Sequence, residues 1–248
     1  MRIAVAGATG RIGRLTVAAL ERAGHEPVPV SRGTGVDAYA GTGLDAALRG
    51  ADAVVDATNI SSNNEAEIVG FFGTVTRNLL AAGERAGVRH HVLLSIVGID
   101  RGQPVAHYAG KREQERLVTG GPVPWTIVRA TQFHDFAAMV AERAERDGAA
   151  TIAPLLVQPI APADVAAVLA EVAAGPPLRA KLDIAGPQTE DLVDMARRTF
   201  AARGRDIKLV PTWRGMFGPH MAGEVLLPGE QARLMPTTFD GWLAAGAR

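Results

Sequence analysis

The sequence predicts an α/β fold: a doubly wound parallel sheet with a small C-terminal subdomain. Three observations predict it. Strand-like and helix-like segments alternate from the N-terminus to about residue 130. Most strand segments are nearly continuous apolar runs, the pattern of a sheet covered on both faces. Three glycines, Gly7, Gly10 and Gly13, fall between the first strand and the first helix. Right-handed crossovers then wind the sheet in both directions.

Each element has its own signal. Residues 2–6 (RIAVA) form a short β-rich run that ends at glycine. Leu15–Leu20 carry helical apolar spacing, and Gly24 is placed to stop that helix. Residues 27–31 read as the second strand and 36–40 as a short third one. Leu44–Arg49 fits a brief helix ended by Gly50, and 52–57 (DAVVDA) is the next strand. A long helix runs from Glu65 to Ala86 and stops at Gly87. His90 and His91 read as loop before a strand at 91–95, and Lys111–Val118 lies on the helix that follows. Strands are expected at 125–129 and 181–185. The rhythm becomes irregular after Phe133. The division is therefore a dinucleotide-binding core over 1–132 and a C-terminal lobe over 133–248, with the strand near 181–185 returning to the sheet.

Composition excludes several function classes. Lys+Arg and Asp+Glu both number 26, so bulk charge offers nothing to nucleic acid. The absence of cysteine removes disulfides, thiolate metal sites and Cys nucleophiles. No histidine-carboxylate cluster has metal-ligand spacing, so no metal is expected. Ser95 lacks the glycine-flanked elbow of a hydrolase. The apolar run at the N-terminus is too short for a signal peptide, and no stretch reaches the roughly 18 apolar residues of a membrane span. A cytoplasmic protein, monomeric or homodimeric, with a small-molecule substrate is expected. Only three of the basic residues are lysines, Lys111, Lys181 and Lys208, and only Tyr39 and Tyr108 are tyrosines.

The glycine loop carries the most specific chemistry. A tight turn needs a residue free to take positive φ, and a pyrophosphate needs backbone without a Cβ in the way. The following helix offers free N–H groups and partial positive charge. Gly7, Thr9, Gly10, Arg11, Ile12 and Gly13 are the expected phosphate contacts. The second strand ends Val30-Ser31-Arg32-Gly33, where an NAD enzyme usually carries an acid. Ser31 and Arg32 suit a 2′-phosphate instead, so NADP(H) is expected over NAD(H). Thr58 and Asn59 either line a ribose or cap the next helix; both roles stay open.

GATGRIG, the VSR strand end, LLSIVGID, HYAGKREQE, PWTIVRATQFHDF and APADVA together resemble the NmrA-like, atypical branch of the short-chain dehydrogenase/reductases. The resemblance runs through roughly residues 1–190. It implies a Rossmann core, an NADP(H) site and a small substrate-facing lobe. Reductases of this kind often use a Tyr-x-x-x-Lys pair in which lysine holds the nicotinamide ribose and tyrosine donates a proton. Here His107 stands four residues before Lys111, and Tyr108 is one position out of that register. His107, Tyr108 or no protein group at all remain as the proton source. Ser95 matches the position of a carbonyl-polarising serine, or serves as a structural hydroxyl. The resemblance places Thr131 and Gln132 near the carboxamide or ribose. Phe133, His134, Met139, Trp213, Met216 and Phe217 are the expected substrate pocket, with core packing as the alternative for each.

The functional expectation is an NADPH-dependent reductase of a small, mostly apolar quinone, enone or carbonyl compound. A non-catalytic NADP(H)-sensing or partner-binding protein is the alternative.

Overall fold

The computed structural model describes residues 1–101, 105–215 and 217–246. In chain order the elements begin β1 (Arg2–Ala6), α1 (Arg11–Arg22), β2 (Glu26–Val30), α2 (Leu44–Leu48), β3 (Ala53–Asp56), α3 (Glu65–Ala86), β4 (His90–Ile96), α4 (Ala106–Thr119) and β5 (Trp125–Ala130). They continue α5 (Phe136–Ala144), β6 (Glu145–Arg146), β7 (Ala149–Ile152), β8 (Leu156–Val157), α6 (Pro162–Ala174) and β9 (Lys181–Ala185). The chain closes with β10 (Glu190–Asp191), α7 (Leu192–Ala202), β11 (Lys208–Pro211), β12 (Arg233–Leu234) and α8 (Phe239–Ala244). The central sheet has seven strands in the order β12-β9-β5-β4-β3-β1-β2. Its order reverses between β1 and β3, which are neighbours, with β2 outside β1. That is the switch point of a doubly wound α/β fold, and the predicted fold class is the observed one.

The chain forms two compact units. The first holds Met1–Arg129 and Pro162–Leu182. Its strand interiors explain the apolar runs: every residue of β3 is buried, as are Ile3 to Ala6 of β1. Ala4, Ala6, Val54, Leu44, Leu48, Val75 and Leu79 make one continuous core beneath α2 and α3. Helix α6 belongs to this unit and packs on α1. The second unit holds Ala130–Ala161 and Asp183–Arg248. It contains a three-stranded sheet, β11-β7-β6, and the antiparallel pair β10-β8. Ion pairs from Arg203 and Arg205 to Glu142, and from Arg205 to Glu145, tie the end of α7 to the end of α5.

Two element readings need correction. Residues 36–40 do not form a strand. Asp37 folds back so that its carboxylate accepts hydrogen bonds from the Tyr39 and Ala40 N–H groups, and only an isolated bridge links Asp37 to Thr42. Gly35, Gly41 and Gly43 all have positive φ, which a strand cannot accommodate. His90 and His91 are not loop. Both are buried in β4, opposite Ala53 and Val54. His90 fits there because its ring meets Thr126 Oγ1 at 2.8 Å and the Gly175 carbonyl at 3.2 Å.

Candidate cofactor and active site

The first strand ends in a turn built by glycine. Gly7 has φ +78°, and a Cβ there would lie 2.7 Å from the Ala57 carbonyl oxygen. At Gly13 a Cβ would fall 2.1 Å from the Gly7 carbonyl oxygen. Both positions therefore exclude any side chain. Gly10 closes the turn, its N–H donating to Gly7 at 2.8 Å. Gly10 is also the N-cap of α1 and supplies no side-chain cap, so the helix start is left to an external acceptor. Thr9 is exposed at the tip, Arg11 is half-buried, and Ile12 and Gly13 are buried behind it.

The turn after β2 sits against this loop. The Gly7 N–H donates to the Val30 carbonyl at 3.0 Å, and Gly33 lies beside Thr9. A short 3-10 turn, Arg32–Thr34, begins at Ser31. The Thr34 hydroxyl holds it together, within hydrogen-bond distance of Ser31 N, Ser31 O and Pro29 O. Arg32 is exposed on that turn. Thus the structure brings Gly7, Thr9, Gly10, Arg11, Ile12, Gly13, Ser31 and Arg32 to one end of the sheet, with Thr58 on the other side of Gly7. Asn59 is exposed next to it. The geometry fits a phosphate-bearing dinucleotide: a cradle closed to side chains, a helix start without a side-chain cap and a guanidinium on the adjoining turn.

Behind the loop lies a buried polar cluster. Lys111 on α4 is 5 % exposed, and its ammonium donates to the Leu94 carbonyl at 3.0 Å and to Gln114 Oε1 at 2.8 Å. It also stands 4.5 Å from the centre of the Phe72 ring. Burial pushes its pKa down to about 8, against the pull of Asp56 and Glu115. Gln114 Nε2 donates to Asp56 Oδ2 at 3.0 Å and to Thr76 at 3.1 Å. The other carboxylate oxygen of Asp56 accepts from the Thr58 N–H at 2.9 Å and from the Thr58 hydroxyl at 2.6 Å. The Thr58 hydroxyl is thereby engaged in closing a turn at the end of β3.

His107, one helical turn before Lys111, packs its ring edge-on to Phe72 with centroids 5.3 Å apart. Burial, with the Lys111 charge adding to it, lowers its pKa to about 4. At neutral pH His107 is a neutral imidazole, a weak proton donor. Tyr108 is buried on the adjacent helical position. The Ser95 hydroxyl donates to Glu115 at 2.6 Å. Glu115 also takes two hydrogen bonds from Arg129, at 2.8 and 2.6 Å, and pairs with Lys181 at 3.0 Å. Burial pushes the Glu115 carboxyl up, but the hydrogen bonds from Arg129 and Ser95 outweigh it and the net direction is down. Arg129 reaches on to Asp100 at 2.7 Å. Ser95 therefore sits at the inner end of an ion-pair network.

The other expected residues lie in the second unit. The Thr131 hydroxyl donates to the Gln158 carbonyl at 2.6 Å. Gln132 is buried, and its Oε1 has no hydrogen-bond partner among the described residues. Phe133 pairs with Ile160 across an isolated bridge. His134 is fully buried between Phe239 and Trp242, with Nε2 3.1 Å from the Pro159 carbonyl. Met139 and Trp213 are half-buried. Phe217 faces Phe136 and lines a cavity of about 40 Å³ with Val140, Ile152 and Thr212. Met216 lies outside the described residues. No group of three His or acidic side chains suited to a metal occurs among the described residues. Nor is any helix among them long and apolar enough to cross a membrane.

Sequence reasoning missed Asp56, Gln114, Glu115 and Gly110. Asp56 had a signal: a carboxylate ending an apolar strand, two residues before Thr58. Gln114 had one too, three residues after Lys111 on the same helical face. Gly110 admits Phe72, since a Cβ there would be 2.5 Å from the ring.

Comparison with known proteins agrees with this geometry. A family model described as NAD(P)H-binding matches residues 7–176. A (4-alkanoyl-5-oxo-2,5-dihydrofuran-3-yl)methyl phosphate reductase from Streptomyces griseus is 37% identical over 146 residues, 53% of this chain and 48% of that protein. The chain thus spans about half the length of this curated relative. A short-chain dehydrogenase/reductase superfamily protein from Agrobacterium tumefaciens, solved with bound NAD, superposes with a TM-score of 0.72 at 20% identity, over 100% of this chain and 96% of that one. An NADPH-dependent quinone oxidoreductase from Escherichia coli, solved with NADPH, gives 0.65 at 20% identity over 85% and 78% of the two chains. A dTDP-4-dehydrorhamnose reductase from Bacillus anthracis, solved with NADP, gives 0.76 at 14% identity over 100% and 99%. These structures share the fold. With its glycine cradle, uncapped helix start and family match over most of its length, the chain belongs to the NAD(P)H-binding family.

Proposed function

We propose that this protein is an NADPH-dependent reductase of the NmrA-like, atypical short-chain type, acting on a small, mostly apolar acceptor. An enone, a quinone or an activated carbonyl compound is the substrate class. The observation that carries this reading is the pairing of a dinucleotide cradle with a buried lysine whose neighbouring histidine is held neutral. When bound, the reduced nicotinamide supplies a hydride. The chain's residues do the rest. Gly7, Gly10, Gly13 and the start of α1 bind the pyrophosphate, and Ser31 and Arg32 bind the 2′-phosphate. Lys111 presents its ammonium to the nicotinamide ribose. The apolar residues Phe133, Met139, Trp213 and Phe217 favour an apolar acceptor.

A neutral His107 is a weak proton donor to a ketone oxygen at pH 7. Quinones and enones tolerate this, because the hydroquinone anion or enolate formed by hydride addition takes its proton from water. The name of the Streptomyces relative describes an unsaturated lactone, which falls in the same chemical class. The test is NADPH oxidation followed by absorbance, against a panel of quinones, enones and simple ketones. Turnover with enones or quinones above ketones is expected. NADPH binding without turnover on any acceptor would overturn the reductase reading and favour a cofactor-sensing protein.

A further inference from the structure

The two carboxylate oxygens of Asp56 serve two different parts of the site. Oδ1 takes both the N–H and the hydroxyl of Thr58, which follows the Ala57 carbonyl that leaves no room for a Cβ at Gly7. Oδ2 takes Gln114 Nε2, and the other end of the same amide holds Lys111. Asp56 is fully buried, and it accepts three hydrogen bonds in all. All three bonds are donated to it, which matches a carboxylate as an acceptor. The Gln114 amide is locked in one orientation, because Nε2 must face Asp56 and Thr76 while Oε1 faces the ammonium.

We propose that Asp56 is a positioning residue that couples the wall of the glycine loop to Lys111, working through Thr58 on one side and Gln114 on the other. Its consequence for reduction rests on the reading of Lys111 as a nicotinamide-ribose contact. The coupling itself does not. The charge of Asp56, like that of Glu115, opposes the effect of burial on Lys111. Other groups act on that ammonium from every side: Glu115 and His107 on α4, the Phe72 ring on α3 and the Leu94 carbonyl on β4. His91 on β4 faces Asp56 as well. Of the two carboxylates acting on Lys111, Glu115 is occupied by Arg129, Lys181 and Ser95, which leaves Asp56 as the one linked to the lysine through a shared side chain.

The scarcity of lysine makes this measurable. With three lysines in the chain, ε-¹³C-labelled lysine gives three resonances, and Lys111→Arg assigns the relevant one. The wild-type resonance should titrate near pH 8. In Asp56→Asn its midpoint should fall by roughly one pH unit, the low end for loss of a nearby opposite charge. The double variant Asp56→Asn/Gln114→Glu moves the carboxylate one link closer to Lys111 and keeps each hydrogen bond matched. It should restore the midpoint or raise it above wild type. NADPH affinity at pH 8 should fall and recover in parallel. An unchanged midpoint in Asp56→Asn overturns the proposal, as does a fall that the double variant fails to reverse. If Asp56→Asn does not fold, Gln114→Met decides: a lower Lys111 midpoint supports the coupling and an unchanged one refutes it. A normal coupling with no turnover on any acceptor would instead count against the reductase reading alone.

Discussion

In the proposed reductase, Arg32 selects the cofactor. It stands on an exposed turn directly after β2, where the sequence offers no acid. A guanidinium there gains charge-assisted hydrogen bonds from a 2′-phosphate and nothing comparable from a bare ribose hydroxyl. Arg32→Ala should therefore weaken NADPH binding about 10- to 100-fold, from the ~1.5–3 kcal/mol of hydrogen bonds to a charged group, and leave NADH binding nearly unchanged. Fluorescence titration of both cofactors measures the ratio, and an unaltered preference would place the 2′-phosphate elsewhere. The place of this residue was legible because its signal is local: a strand end, a missing acid and an arginine. Asp56 was not. Its partners stand 2 and 58 positions away in the chain, and only the fold brings the second one to it. Lys111 lies between these cases. Its type and helix were readable, whereas its bond to the Leu94 carbonyl depends on how α4 lies on β4.

At the scale of elements, helices with a clean start and stop were the easiest to read. Helix α3 runs over Glu65–Ala86, the limits expected from its spacing and from Gly87, whose φ is +71°. The segment at 36–40 failed because β-rich composition competes there with an Asp-capped turn and flanking glycines of positive φ. The packing of α4 on α3 was invisible in the sequence, and Gly110 is where it is set. A Cβ at that position meets Phe72 at 2.5 Å and Ile68 at 2.7 Å, both buried. Gly110→Ala should therefore destabilise the protein by about 1–3 kcal/mol despite the better helix propensity of alanine. It should also displace Phe72 from beneath the Lys111 ammonium. Denaturant unfolding gives the sign: a stabilised variant would show that the helices have room to spare.

Across the whole molecule, acid sensitivity follows from the buried histidines. His91 and His107 both have folded pKa values of about 4 because burial opposes their charge, against 6.5 in an unfolded chain. Between these values the unfolded state binds more protons, so stability is complete above pH 6.5 and falls as the pH drops towards 4. Each histidine contributes on the order of 1–3 kcal/mol to that fall. Glu115 and Asp100, also held below their ordinary values, add to the loss at still lower pH. Urea midpoints between pH 7.5 and 4.5 should therefore decline steadily, and His91→Gln should flatten the decline; a level wild-type profile would contradict the burial of neutral imidazoles. The fold class was readable from strand patterning and the glycine loop, since both obey short-range rules. The acceptor was not, because its pocket depends on long-range packing after residue 133. Deuterium transfer separates hydride delivery to an unsaturated acceptor from cofactor binding alone. NADPH carrying deuterium on both C4 positions, incubated with the protein and an enone, should place one deuterium on the β-carbon of the saturated product, with one NADP⁺ formed per product. Bound NADPH that stays intact beside an unreacted enone and quinone would contradict it.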